Sequence, residues 1–315
     1  MKTTDLYILL GDSGFMKHSL KITLILVLLF LVTQLFGLAT VTKYISVGEK
    51  DGDTFIDHSA TMLGEPPEIE NKSTTFIWIT LAVVVGTLLM LLFVKYNLSR
   101  AWKVWFFLAI WMTIGTSLSV YLNDYSAAAI AFLLALYRIF RQNVFVHNIT
   151  EVFVYTGIVV VFLPIINLMS AFVLLLIISL YDMYAVWKSK HMVKMAKFQT
   201  QSKMFAGLFV PYKIGRKPKK GEKTKKVKVK HAILGGGDMA FPLIFTATVI
   251  EYLILSFGFS KLTAFLYSLI VVGCCTATLL GLFMKAKKDK FYPAMPFISA
   301  GCYVGFGIVY LLTFI

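Results

Sequence analysis

The sequence predicts an all-α polytopic membrane protein with nine transmembrane helices. Long apolar stretches recur along its 315 residues from Leu20 to the C-terminus. Composition agrees: 58% of residues are hydrophobic and only 15% charged, against about half and about a quarter in soluble chains. Finally, basic residues gather in alternate loops, as cytoplasmic loops do. These observations exclude a nucleic-acid-binding module, a disordered chain or a secreted disulfide scaffold as the main reading. Cys274, Cys275 and Cys302 lie in apolar runs, so they read as packing residues, neither disulfides nor metal ligands.

A span needs about 20 predominantly apolar residues. Residues 20–41, 75–94, 102–122, 232–257, 261–284 and 291–313 qualify, and 125–140 is a shorter candidate ending at Arg138 and Arg141. The apolar run 150–187 is too long for one crossing, since as a helix it would reach about 57 Å, roughly twice the hydrocarbon core. Pro164 and Asn167 mark its turn, which gives two spans and a total of nine. The first run follows Lys17 and Lys21 and is longer than a signal-peptide core, so it reads as a signal-anchor.

Charge placement supplies an independent check. Between Lys188 and Lys230 there are fifteen Lys or Arg residues and one acid, Glu222, so most of the net charge of +15 resides in one loop. Residues 42–74 instead carry seven acids against three lysines. Alternation then places the N-terminus in the cytoplasm and the C-terminus outside. Three regions follow: a six-span half (1–187), the basic loop (188–231) and a three-span half (232–315). Asn71-Lys72-Ser73 is a glycosylation sequon in the expected outer loop.

With loops and span ends set aside, Asp182, Asp238 and Glu251 remain as acids in apolar segments. A carboxyl in a span costs several kcal/mol and is by default a functional hypothesis. Glu251 reads as an outer-interface or water-facing residue. Asp182 and Asp238 flank the basic loop on antiparallel neighbours at similar depth, about 9–12 Å from the span ends. Two carboxyls that meet can share one proton, one serving as base toward water and the other as acid toward a carbonyl oxygen. A hydrogen-bonded helix clamp, or a proton or ion site in a transporter, fits the same placement.

Local sequence adds a resemblance. Tyr181-Asp182, then Gly235-Gly236-Gly237-Asp238, then Pro293-Ala294-Met295 stand in that order on the sixth, seventh and ninth spans. They resemble the YD, GxGD and PAL signatures of presenilin and signal peptide peptidase, the intramembrane aspartyl proteases. The resemblance implies a presenilin-like fold, catalysis by Asp182 and Asp238, and no metal or organic cofactor. It also implies transmembrane-helix or signal-peptide-like substrates, drawn from the surrounding membrane. The orientation and nine-span plan look most like an archaeal or other microbial presenilin homologue. Met295 stands where the motif has leucine, and Pro242 is closer to the peptidase branch.

Each motif also has a physical reading. Gly235 and Gly237 permit close backbone approach and non-helical dihedrals. Tyr181 can pair its hydroxyl with a buried acceptor or sit at the interface. Pro293 and Pro296 either start a helix or leave carbonyls for a substrate backbone. Lys226 to Lys230 alternates like a strand through Val227 and Val229, fit for pairing with an extended substrate or for anionic lipid. Met204, Phe205, Leu208, Phe209, Val210 and Tyr212 form an apolar patch read as an interfacial anchor. Together these imply an endopeptidase acting within the membrane. An ion or proton pathway and a non-catalytic scaffold are the alternatives. No accessory subunit or nucleic-acid partner is indicated, and oligomerisation stays open.

Overall fold

The computed structural model describes residues 20–50, 52–67, 69, 71–141, 143–189, 195, 198–199, 204–214, 228–286 and 292–314. Among them are nine helices: α1 (Leu20–Tyr44), α2 (Thr75–Lys95), α3 (Ser99–Ser119), α4 (Asp124–Phe140), α5 (Val144–Phe162), α6 (Leu168–Tyr184), α7 (Gly237–Phe257), α8 (Lys261–Lys285) and α9 (Met295–Leu312). Eight of the nine lie in segments long and apolar enough to cross a bilayer. The ninth, α4, has 17 residues, at the short end of what spans a hydrocarbon core. The protein is a mostly helical membrane protein.

Helix boundaries follow from caps. The run 150–187 breaks as its sequence requires: α5 ends at Phe162, Pro164 sits in a 3-10 turn, and Asn167 caps α6 by accepting from Ser170 N–H. Asn123, Asn143 and Ser260 cap α4, α5 and α8 in the same way, each satisfying an orphan amide of the first turn. By contrast, α7 and α9 begin without a side-chain cap of their own, and both starts belong to the candidate site.

The all-α expectation omitted two antiparallel hairpins. β1 (Ile45–Lys50) pairs with β2 (Asp53–His58), and β3 (Gly207–Ile214) pairs with β4 (Lys228–Gly235). The first lies in the acidic segment 42–74, where Asp51-Gly52 is a two-residue hairpin signal and Gly52 has φ +89°. The second corrects the expected span 232–257: Ala232 to Gly235 are strand, and helix begins only at Gly237. Of the alternating segment, Lys226 and Val227 lie outside the described residues, while Lys228 to Lys230 are in β4.

A second correction concerns the apolar patch. Met204 and Leu208 are buried in the protein, and β3 packs on α1 and α5. Met204 and Leu208 thus dock inside the protein, while Phe205, Phe209 and Val210 are half-buried. Tyr212's side chain lies outside what the structure describes.

At the centre stands α7, with fourteen of its 21 residues buried and α1, α5, α6, α8 and α9 around it. Small residues bring α8 and α9 together: a Cβ on Gly301 would lie 2.7 Å from the Cys275 Cα. Cys275 and Cys302 are buried, Cys274 is half-buried, and all three are free thiols. At the other extreme α2 buries only Thr75, Ile79 and Met90.

Candidate active site

Asp182 lies in the last turn of α6 and is buried. Its Oδ2 accepts a hydrogen bond from the Met295 backbone N–H at 3.2 Å, and the Ala294 N–H faces the same carboxyl. These amides open α9, so Asp182 is the cap that α9 lacks in its own sequence. The positive end of the helix dipole favours an anion there. One turn away, Ser179 donates to Ser299 at 2.8 Å, fixing α6 against α9 along the same seam. The proline motif thus acts through its amides: Pro296 follows Met295 in the first turn, where its missing N–H costs nothing.

Asp238 is the second residue of α7 and receives the Gly235 backbone N–H. The two carboxyls are close enough to interact electrostatically, although Asp182 comes from one side of the basic loop and Asp238 from the other. Four residues on, Pro242 has no N–H for the Asp238 carbonyl. Gln34 of α1 donates to the next carbonyl, Met239, at 3.0 Å.

The glycines work by closeness. Gly236 has φ −64° and ψ −34°, ordinary helical values; of the two positions expected to permit non-helical dihedrals, Gly235 ends strand β4 and Gly237 begins helix α7. A Cβ at Gly235 would lie 3.2 Å from Asp238 Oδ2, and one at Gly236 would lie 3.1 Å from the Tyr155 hydroxyl. Gly237 meets only Phe241, at 3.5 Å. The tight positions are therefore 235 and 236. Tyr181 donates its hydroxyl to Thr87 of α2 at 3.1 Å, tying the site's helix to the least enclosed one.

The β3–β4 hairpin runs directly into this turn, with Gly207 opposite Gly235. The outer edge of β3 is occupied: Gly207 O accepts from His147 at 2.8 Å, and Phe209 exchanges two bonds with the Asn148 amide at 3.0 and 3.2 Å. Because backbone groups alternate along a strand, Val229, His231 and Ile233 turn theirs to the far edge of β4. Among the described residues no other strand pairs with that edge.

Two further acids are buried, and both carry a cationic or imidazole partner. Glu251 is buried and accepts from His58 at 2.6 Å, so it is not water-facing; it pins the β1–β2 hairpin to α7. Glu151 in α5 pairs with Arg138 of α4, both side chains almost fully enclosed. In the sequence Glu151 and Arg138 both stand at the ends of apolar runs, where a charge looks solvated. Tyr155, 2% exposed, was also missed. The available signal was the spacing of His147, Glu151 and Tyr155, four residues apart on one helix face. Among the described residues no three His, Cys, Asp or Glu side chains cluster as metal ligands.

Comparison with known proteins fits this geometry. A family model described as signal-peptide peptidase, presenilin aspartyl protease matches residues 66–315. A structure of a presenilin family intramembrane aspartate protease, in a C222 crystal form, superposes with TM-score 0.60 at 15% identity, covering 92% of this chain and 99% of that one. A P2 crystal form of such a protease gives TM-score 0.52 at 17% identity over 91% and 96%. At these identities the structural likeness is one of fold. No curated protein matches. The fold and the family model define an intramembrane aspartyl protease. The chain belongs to the presenilin and signal peptide peptidase family.

Proposed function

We propose that this protein cleaves transmembrane helices of membrane proteins, using Asp182 and Asp238 as a two-carboxyl, water-activating pair. The observation that carries the reading is the contrast in compensation among the buried and half-buried acids of the helical domain. Asp182 is held by backbone amides at the start of α9 and Asp238 by the Gly235 amide at the end of β4, and among the described residues neither has an ion-pair partner. Such groups can exchange one proton between them. In the proposed reaction the ionised carboxyl takes a proton from water as the oxygen attacks the scissile carbonyl, and the protonated one donates to the carbonyl oxygen. Collapse of the tetrahedral intermediate breaks the C–N bond. The proton gained by the base passes to the departing amine, a hydroxyl of the intermediate returns its proton to the other carboxylate as the carbonyl re-forms, and the dyad is again singly protonated.

A substrate helix hides its peptide bonds in its own hydrogen bonds, so it must unwind. The far edge of β4, with Val229 on it and Val227 just before, supplies backbone partners for an extended strand. The opening of α9, Pro293 to Met295, would face the substrate from the other side. In this reading the basic loop 188–231 handles substrate and anionic lipid between the two halves of the protein. The N-terminus is assigned to the cytoplasm from loop charge.

Detergent-purified protein mixed with a single-span peptide tests the reading. Cleavage that stops on adding a hydroxyl-containing peptide isostere is expected. An intact peptide combined with proton or ion flux in liposomes would overturn it in favour of a conduction pathway.

A further inference from the structure

His147, Glu151 and Tyr155 form a polar stripe down one face of α5, with Asn148 beside its start. Arg138 binds the stripe from α4: it pairs with Glu151, donates to Thr150 at 3.1 Å, and reaches the Phe205 carbonyl at 3.3 Å. His147 lies 3.6 Å from the Glu151 carboxylate and donates to Gly207 O. The stripe therefore engages the outer edge of β3 at Gly207 and Phe209, and the carbonyl of Phe205 two residues before the strand begins. At its far end Tyr155 packs under Gly236, the residue before the Asp238 helix.

Two physical consequences follow. A strand edge bound at two alternate residues, with the chain held again just ahead of it, cannot slide by one residue without turning its side chains over and losing every bond. Capping β3 also leaves β4 as the hairpin's open edge among the described residues. We propose that Arg138, His147, Asn148, Glu151 and Tyr155 form a positioning bed that fixes the register of β4 relative to Asp238, and so selects which substrate bond reaches the carboxyls. These are positioning residues, acting through the hairpin, and their role in cleavage rests on the protease reading above.

The test compares Asn148→Ala and Glu151→Gln with Ile149→Ala, which alters an exposed neighbour on the same helix. Hydrogen–deuterium exchange of residues 204–214 and 228–235 is measured in detergent, and cleavage products of a single-span peptide are read by mass. Both bed variants should exchange at least tenfold faster in the hairpin while α6 and α7 stay protected. Their cuts should spread to bonds one or two residues from the wild-type position, and Ile149→Ala should match wild type in both readouts. Unchanged hairpin exchange would overturn the proposal. So would a slower reaction with the wild-type product pattern, which is what a purely structural role gives. Asn148→Ala removes only two hydrogen bonds from a half-buried side chain, so it keeps the test sound if Glu151→Gln does not fold. If wild type itself left the peptide intact, the protease reading would fall, and the exchange measurement would still decide whether the bed holds the hairpin.

Discussion

Four acids inside the helical domain, three of them buried and Asp238 half-buried, divide into two pairs that differ in how their charge is held. Glu151 and Glu251 each face a basic side chain, Arg138 or His58, across helix or hairpin boundaries. Asp182 faces backbone amides at the start of α9, and Asp238 faces the Gly235 amide at the end of β4. A side-chain partner fixes a carboxylate and joins elements. An amide partner favours the anion without supplying a full countercharge, which leaves the proton free to move. The difference separates acids that build the membrane domain from acids suited to chemistry, even though a span disfavours all four equally.

The sharpest way to break the comparison is to neutralise one acid of each kind. Asp182→Asn or Asp238→Asn should lower cleavage by at least about a thousandfold, because neither half of such a unit works alone, while the protein stays folded. Substantial turnover by either variant would end the catalytic assignment. Activity should also trace a bell against pH, since only the singly protonated pair works. A rate rising steadily into strongly alkaline solution would contradict it.

The structural pair should respond in the opposite sense. Glu251→Ala leaves His58 buried without its partner and should cost about 3 kcal/mol of stability, read as a lowered thermal midpoint. Cleavage per folded molecule should stay near wild type, because Glu251 lies in the C-terminal half of α7, several turns from Asp238. A variant of full stability that has lost turnover would erase the distinction.

How far the sequence foretells this arrangement depends on the length scale of each signal. Spans are legible because about 20 apolar residues must be contiguous, and the Pro164–Asn167 turn because proline and a capping asparagine act locally. The hairpins are not, since strands of six to eight residues beside apolar runs look like span ends. Asp182 and Asp238 stand out by depth and motif. Glu151 and Arg138 were hidden because a charge near a span end looks solvated, and only packing of α4 on α5 reveals otherwise. Tyr155 needs the three-dimensional approach of Gly236 to acquire meaning. Orientation can be checked separately: cysteines placed at Asp57 and Lys219 in a cysteine-free background should label from opposite sides, with Asp57 outside.

A smaller effect probes the strand edge next to the amide-held pair. Val229 sits opposite Lys213 in the ladder, at a position whose backbone groups turn to the open side of β4. Val229→Pro deletes one donor from that edge without removing a bond to β3, whereas Val229→Thr keeps every backbone group and a β-branched side chain. Cleavage should fall about tenfold for proline, the loss of roughly one hydrogen bond's free energy, and little for threonine. Equal rates would refute strand addition while leaving the aspartates untouched.

The smallest effect sharpens the claim that backbone, not side chain, holds Asp182. Met295 donates through its N–H, and its side chain is 3% exposed against neighbouring helices. Met295→Leu keeps the amide and nearly the same volume, so it should cost less than about 1.5 kcal/mol and leave the cleavage rate within about twofold. It would also restore the residue that the family motif carries at this position. Met295→Asp keeps the same amide but sets a third carboxyl beside Asp182, where like charges cannot all ionise. Cleavage should then stop and the bell-shaped pH profile should be lost. If leucine were as damaging as aspartate, the side chain would be the functional part of the motif, and the view of Asp182 as the cap of α9 would have to give way.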